Sequence, residues 1–197
     1  MPVAAVHEAY AAGQTCFGEN YVQEALGKMD ALSHLSLRWH FIGRIQSNKT
    51  GLIANKFHWV HSLDRIKIAR RLSEQRDPAL PPLSVCLQVN LSGEPTKGGV
   101  IPDEVLALAL AVAELPRLHL RGLMTVPEAG GDFESQRIPF RRLRRQLEFL
   151  NTQGLALDTL SMGMSHDIEA AIAEGATIVR IGTAIFGPRS AHTIQGG

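Results

Sequence analysis

The chain has 197 residues with 20 Lys+Arg against 19 Asp+Glu, a formal charge of +1 with neutral histidines. That balance argues against a nucleic-acid-coating surface or an acidic interaction tail. With 45% hydrophobic and 20% charged residues, and no apolar run near the roughly 18 residues that span a bilayer, the expectation is one cytoplasmic globular domain over 1–197, without nucleic-acid or membrane partners.

In chain order, Pro2, then VAAVHEAYAA, then Gly13 read as a complete helix with start and stop signals. Strand-length apolar runs follow at 15–19, 39–43, 58–62, 84–91, 118–124, 158–162 and 177–181, seven in all. Helical segments separate them. Pro102 and Asp103 open DEVLALALAVAEL; Phe140, Leu143, Leu147 and Leu150 stripe FRRLRRQLEFL; Gly175 stops IEAAIAE. Within the second of these, the RRLRR cluster at 141–145 reads as a solvated face. Cys16 and Cys86 lie in apolar runs and are expected as buried free thiols.

Alternating βα units without a linker indicate an α/β domain, built either as an open doubly wound sheet or as a closed barrel. A closed barrel leaves no sheet edge exposed. The expected fold is therefore a TIM-like (β/α)8 barrel with seven strands in this sequence. Because the chain opens on a helix, the first strand is expected to be encoded upstream of residue 1.

The strongest chemical signal is SMGMSHDIEAAIAEGATIVRIGTAIFG at 161–187. The last two strands of a barrel commonly end in a phosphate site, where free backbone N–H groups converge. Ser165 and Thr183 add hydroxyl donors, and Gly163 and Gly182 let backbone approach an oxygen closely; the plainer reading is turn glycines and a helix cap. Arg180 follows Ile178 and Val179, and an inward guanidinium there needs a partner, either a ligand or a carboxylate such as Glu19.

FGENYVQE at 17–24 and WHFIGRIQSNK at 39–49 put Asn20, His40, Gln46, Ser47 and Asn48 just past strands, on the rim where barrel active sites lie. His40 reads equally well as a core histidine. His58 and His61 are three apart on a strand and face opposite sides, so they cannot share a metal. HExxH, CxxC and paired-carboxylate spacings are absent, and no metal site is expected. VNLSGEPTKGGV at 89–100 carries Lys97 in a Gly-rich turn, read as an exposed loop lysine. RGLMTVP at 121–127 offers Met124 as a pocket floor or an ordinary core residue.

These five ordered segments closely resemble the pyridoxal phosphate homeostasis protein family, and the resemblance runs over 2–189. It implies a fold-type-III pyridoxal phosphate barrel, similar to the N-terminal barrel of alanine racemase without its second domain. Such a barrel binds and delivers pyridoxal 5'-phosphate with no turnover of its own. By the same resemblance Ser165, Arg180, Gly182 and Thr183 hold the phosphate and the ring side, while Asn20, His40 and Met124 line the pocket. An arginine rather than a carboxylate at the ring nitrogen leaves that nitrogen unprotonated and weakens the ring as an electron sink.

The family carries its Schiff-base lysine at the end of the first barrel strand. None of Lys28, Lys49, Lys56, Lys67 and Lys97 reads as a strand residue; Lys49 and Lys97 fall in loops and the others on helices or their ends. Binding that is noncovalent at most is therefore expected, with cofactor-dependent apo-enzymes as recipients and a monomer or weak dimer as the assembly. Two alternatives stand beside this reading. A pyridoxal phosphate-dependent amino-acid racemase requires a second base, which alanine racemase takes as a tyrosine from its other domain; only Tyr10 and Tyr21 are present here. A phosphate-binding barrel enzyme without pyridoxal requires a strand-end carboxylate or lysine, and Glu19 is the one such residue.

Overall fold

Six strands make one parallel sheet in a computed structural model that describes residues 1–94, 98–128 and 130–187. They are β1 (Cys16–Glu19), β2 (Arg38–Phe41), β3 (Trp59–Leu63), β4 (Leu83–Gln88), β5 (Leu118–Met124) and β6 (Thr159–Ser161). Around them lie α1 (Val3–Ala11), α2 (Val22–Ala31), α3 (Thr50–Lys56), α4 (Ile66–Gln75), α5 (Val105–Ala113), α6 (Phe133–Thr152), α7 (Ile168–Ala173) and the single turn α8 (Thr183–Phe186).

The spatial order of the strands is their chain order, β1 to β6. A doubly wound sheet reverses direction at a switch point; a barrel wall grows on one side only. Consecutive order thus favours the barrel architecture, here an α/β half-barrel of parallel strands. Phe17 stands opposite Trp39, Gly18 opposite His40, and Leu123 opposite Leu160. Ile53, Phe57, Ile68, Leu72, Leu83, Phe140 and Leu143 are buried in the main apolar core, with Phe41 and Phe57 meeting edge to face at 5.3 Å. Each such side chain contributes about 1.5–3 kcal/mol by leaving water.

Several expectations change on folding. The run at 177–181 makes one bridge, Ile178 to Ser161, rather than a strand. Its partner leaves extended geometry at Gly163, φ +96°, so after Met162 N–H donates to the Ile178 carbonyl and Arg180 N–H to the Gly163 carbonyl, the ladder ends. The fourth strand stops at Gln88 rather than Leu91, because Val89 bridges to Val100 across the Gly-rich turn. Cys86 is buried as expected, but Cys16 is exposed, because β1 is the edge strand of the described sheet. Lys49 closes a 3₁₀ turn (Ser47–Lys49) rather than lying in a loop.

The arginine-rich face of α6 is not simply solvated. Arg137, Arg141 and Arg144 converge on Glu174, whose side chain is 1% exposed, at 2.8, 3.0 and 3.2 Å. This clamp joins α6 to the end of α7, and Asp132 caps α6 by accepting from the Ser135 N–H. No described helix is long and apolar enough to cross a membrane.

Candidate functional site

Alternation along β2 and β3 puts His40 and His61 on one side of the sheet, and Ser161 at the end of β6 joins them. His40 Nδ1 lies 2.8 Å from His61 Nε2, and His61 Nδ1 lies 2.7 Å from the Ser161 hydroxyl. His40 stacks flat against Trp59, centroids 5.5 Å apart. Burial, with His58 and Arg38 nearby, lowers the His40 pKa to about 4. Burial, then His40 and Arg180, hold His61 well below 6.5. Both rings are therefore neutral at pH 7.

Arg180 reaches the same group. Its Nη1 donates to the Ser161 carbonyl at 2.8 Å and to the Ser161 hydroxyl at 2.7 Å, and its Nη2 donates to the Thr125 carbonyl at 2.8 Å. Burial lowers its pKa to about 10, partly offset by Asp167, so it remains a cation at neutral pH. Among the described residues no carboxylate makes an ion pair with it. Glu19, the structural partner considered from the sequence, is taken by Lys28 at 2.7 Å. A partly desolvated cation whose hydrogen bonds among the described residues all go to neutral acceptors favours an electron-rich or anionic ligand.

Further along the same segment, Thr183 Oγ1 and the Ala184 N–H each lie 3.3 Å from Ser165 Oγ. The two sequence-selected hydroxyls are therefore neighbours, close enough to share one phosphoryl group. Gly163 is required where it stands: besides its positive φ, a Cβ there would lie 2.6 Å from the Ala171 Cβ. A Cβ on Gly182 meets nothing within 4 Å, so the space over that peptide is open.

Asn20 is half-buried directly after β1, its carbonyl packed so closely on Gly43 that a Cβ there would collide with it. Met124 is buried at the end of β5 but lies outside the main apolar cluster. Gln46, Ser47 and Asn48 are exposed ahead of α3; Lys97 lies outside the described residues. No group of three or more metal-ligating side chains occurs among the described residues. Sequence reasoning did not select His61 and Ser161. The only signal was strand alternation, which separated His61 from His58 without naming a partner 100 residues away.

Comparison with known proteins identifies the family. Residues 2–190 match the family described as alanine racemase, N-terminal domain. The pyridoxal phosphate homeostasis protein of Pseudomonas aeruginosa is 63% identical over 188 residues, covering 95% of this chain and 80% of the relative. That of Escherichia coli K12 is 51% identical over 191 residues, covering 95% and 82%. Among solved structures, PipY of Synechococcus elongatus with pyridoxal phosphate bound superposes with TM-score 0.88 at 40% identity, covering 94% of this chain and 88% of that one. Alanine racemase of Corynebacterium glutamicum, 18% identical with TM-score 0.66 over 92% of this chain and 50% of that one, shares the fold. The chain belongs to the pyridoxal phosphate homeostasis protein family, with its alanine racemase N-terminal domain.

Proposed function

We propose that the chain is a cytoplasmic carrier that binds pyridoxal 5'-phosphate noncovalently and releases it to cofactor-dependent apo-enzymes, without turnover of its own. One observation carries this reading: a half-buried guanidinium that pairs with no carboxylate among the described residues, on the same segment as two adjacent hydroxyls. In it, Ser165, Gly182 and Thr183 hold the phosphate, Arg180 faces the ring nitrogen, and Asn20, His40 and Met124 line the pocket. The relative solved with the cofactor bound supports the ligand's identity.

When bound, the cofactor supplies an electrophilic aldehyde and an electron-withdrawing ring. Arg180 keeps its own proton at neutral pH and donates hydrogen bonds only; facing the ring nitrogen, it would offer a hydrogen bond rather than a proton and would leave the ring a weak electron sink. The described lysines support noncovalent binding. Lys28 is paired with Glu19, and Lys49, Lys56 and Lys67 sit on the 3₁₀ turn, α3 and α4. The finer reading of the fold, a (β/α)8 barrel with strands beyond the six described, is supported by the outer edge of β1, which pairs with no strand among the described residues, and by the single bridge beyond β6.

A spectrophotometric titration with pyridoxal phosphate tests the proposal. Stoichiometric binding is expected, reversed by dialysis and unaltered by prior borohydride. Ser165→Ala and Thr183→Val should each weaken binding about tenfold, the worth of one charge-assisted hydrogen bond. Absence of binding, or permanent attachment after borohydride to one of the described lysines, refutes it.

A further inference from the structure

Resting on the reading that Arg180 faces the ring nitrogen, we propose that Ser161, His61 and His40 form a one-directional hydrogen-bond chain that positions Arg180 for the ligand. His61 and Ser161 thereby become positioning residues of the cofactor site.

The direction of the chain follows from counting hydrogens. Arg180 carries five N–H groups and can only donate. Nη1 gives both of its hydrogens to Ser161, one to the carbonyl and one to the hydroxyl oxygen. Ser161 is fully buried. Among the described residues its own hydrogen has one acceptor within reach, His61 Nδ1 at 2.7 Å. His61 therefore carries its hydrogen on Nε2 and donates to His40 Nδ1 at 2.8 Å. His40 in turn carries its hydrogen on Nε2, a buried atom without a partner among the described residues. The opposite polarity would leave two buried groups unmatched, the Ser161 hydrogen without an acceptor and the His40 Nε2 lone pair without a donor, against the single His40 Nε2–H left here.

The chain works only with both imidazoles neutral. A second hydrogen on His61 would place N–H against the serine hydrogen, and one on His40 would face the His61 N–H. The surrounding charges oppose both events: Arg38 and His58 lie near His40, Arg180 near His61, and only Asp167 and Cys86 lean toward Arg180. The three bonds to Ser161 and Thr125 leave Arg180 with two N–H groups free among the described residues, the number left to meet a ligand.

Two measurements separate this inference from the reading beneath it. In the ligand-free protein, long-range nitrogen–proton NMR of the imidazoles should find His61 and His40 both as Nε2–H tautomers, unprotonated at pH 6. Nδ1–H tautomers, or a His61 that titrates near 6.5, overturn the chain whatever the protein binds. In the second measurement, His61→Leu should weaken pyridoxal phosphate binding at least tenfold and shift the pH profile of the bound ligand's absorbance. His61→Asn, whose amide oxygen still accepts from Ser161, should stay within about threefold of the original. A folded His61→Leu with unchanged affinity and pH profile overturns the positioning role. Failure of the unaltered protein to bind at all refutes the cofactor reading, and with it the positioning role, while the tautomer result still stands or falls alone.

Discussion

Replacing Glu174 by Gln should be among the most damaging single changes remote from the ligand site. The carboxylate is almost fully enclosed and takes hydrogen bonds from Arg137 Nε at 2.8 Å, Arg141 Nε and Nη2 at 3.2 and 3.0 Å, and Arg144 Nη2 at 3.2 Å. A glutamine cannot accept that many, and its amide N–H₂ would point donors at donors. Breaking a buried ion pair costs about 3–5 kcal/mol. The arginines here keep 26–41% of their side chains in water, which favours the low end, about 3 kcal/mol. For a chain of this size that corresponds to a fall of roughly 6–12 °C in melting temperature. The effect has a pH signature. Burial alone would raise the Glu174 pKa, but Arg141 and Arg137 outweigh it and hold it below the usual glutamate value. A depressed carboxyl gives stability that is complete above the unfolded pKa of 4.5 and lost as pH falls through the folded value. Urea denaturation of both proteins at pH 7 and pH 3.5 should show the gap narrowing in acid. Glu148→Gln, in an exposed pair with Arg144 at 3.3 Å, should cost under about 0.5 kcal/mol. Equal losses at the two positions, or a Glu174→Gln cost below about 1 kcal/mol, would refute the clamp.

Three further outcomes are expected. Gly163→Ala should cost about 3 kcal/mol by denaturant titration, since both the left-handed backbone and the contact with Ala171 oppose it; a near-neutral result would contradict the packing of this turn. With a thiol-specific chromogenic reagent, Cys16 should react within minutes, whereas Cys86, buried and with its thiol pushed up to about 12, should react only on unfolding. Two equally fast thiols would contradict the burial of β4. His40, neutral when folded, should destabilise the fold by about 3 kcal/mol as pH falls from 6.5 to about 4, because the unfolded chain takes up its proton first; His40→Asn should flatten that part of the stability profile.

Much of this architecture was legible in the amino-acid order because βα units are local. The start and stop residues of α1, the apolar stripe of α6 and six of the seven strand positions depend on neighbours a few places away. The hydroxyl pair was legible for a similar reason, since Ser165 and Thr183 flank the last turns of one motif. The exposure of Cys16 was not, because it depends on which strand stands at the sheet edge. Nor was the role of Glu174, an ordinary helix-end glutamate until three arginines from α6 fold over it. His61 was hidden most completely: its meaning lies in Ser161, 100 residues away, and no periodicity links the two.

Because each strand docks on the one before it, the wall can assemble as the polypeptide leaves the ribosome, without waiting for a distant segment to find its place. The central relay cannot. Ser161 and Arg180 emerge last, so a nascent chain acquires its hydrophobic scaffold well before it acquires any grip on a small anion. Unfinished copies would then leave the cell's vitamin pool untouched.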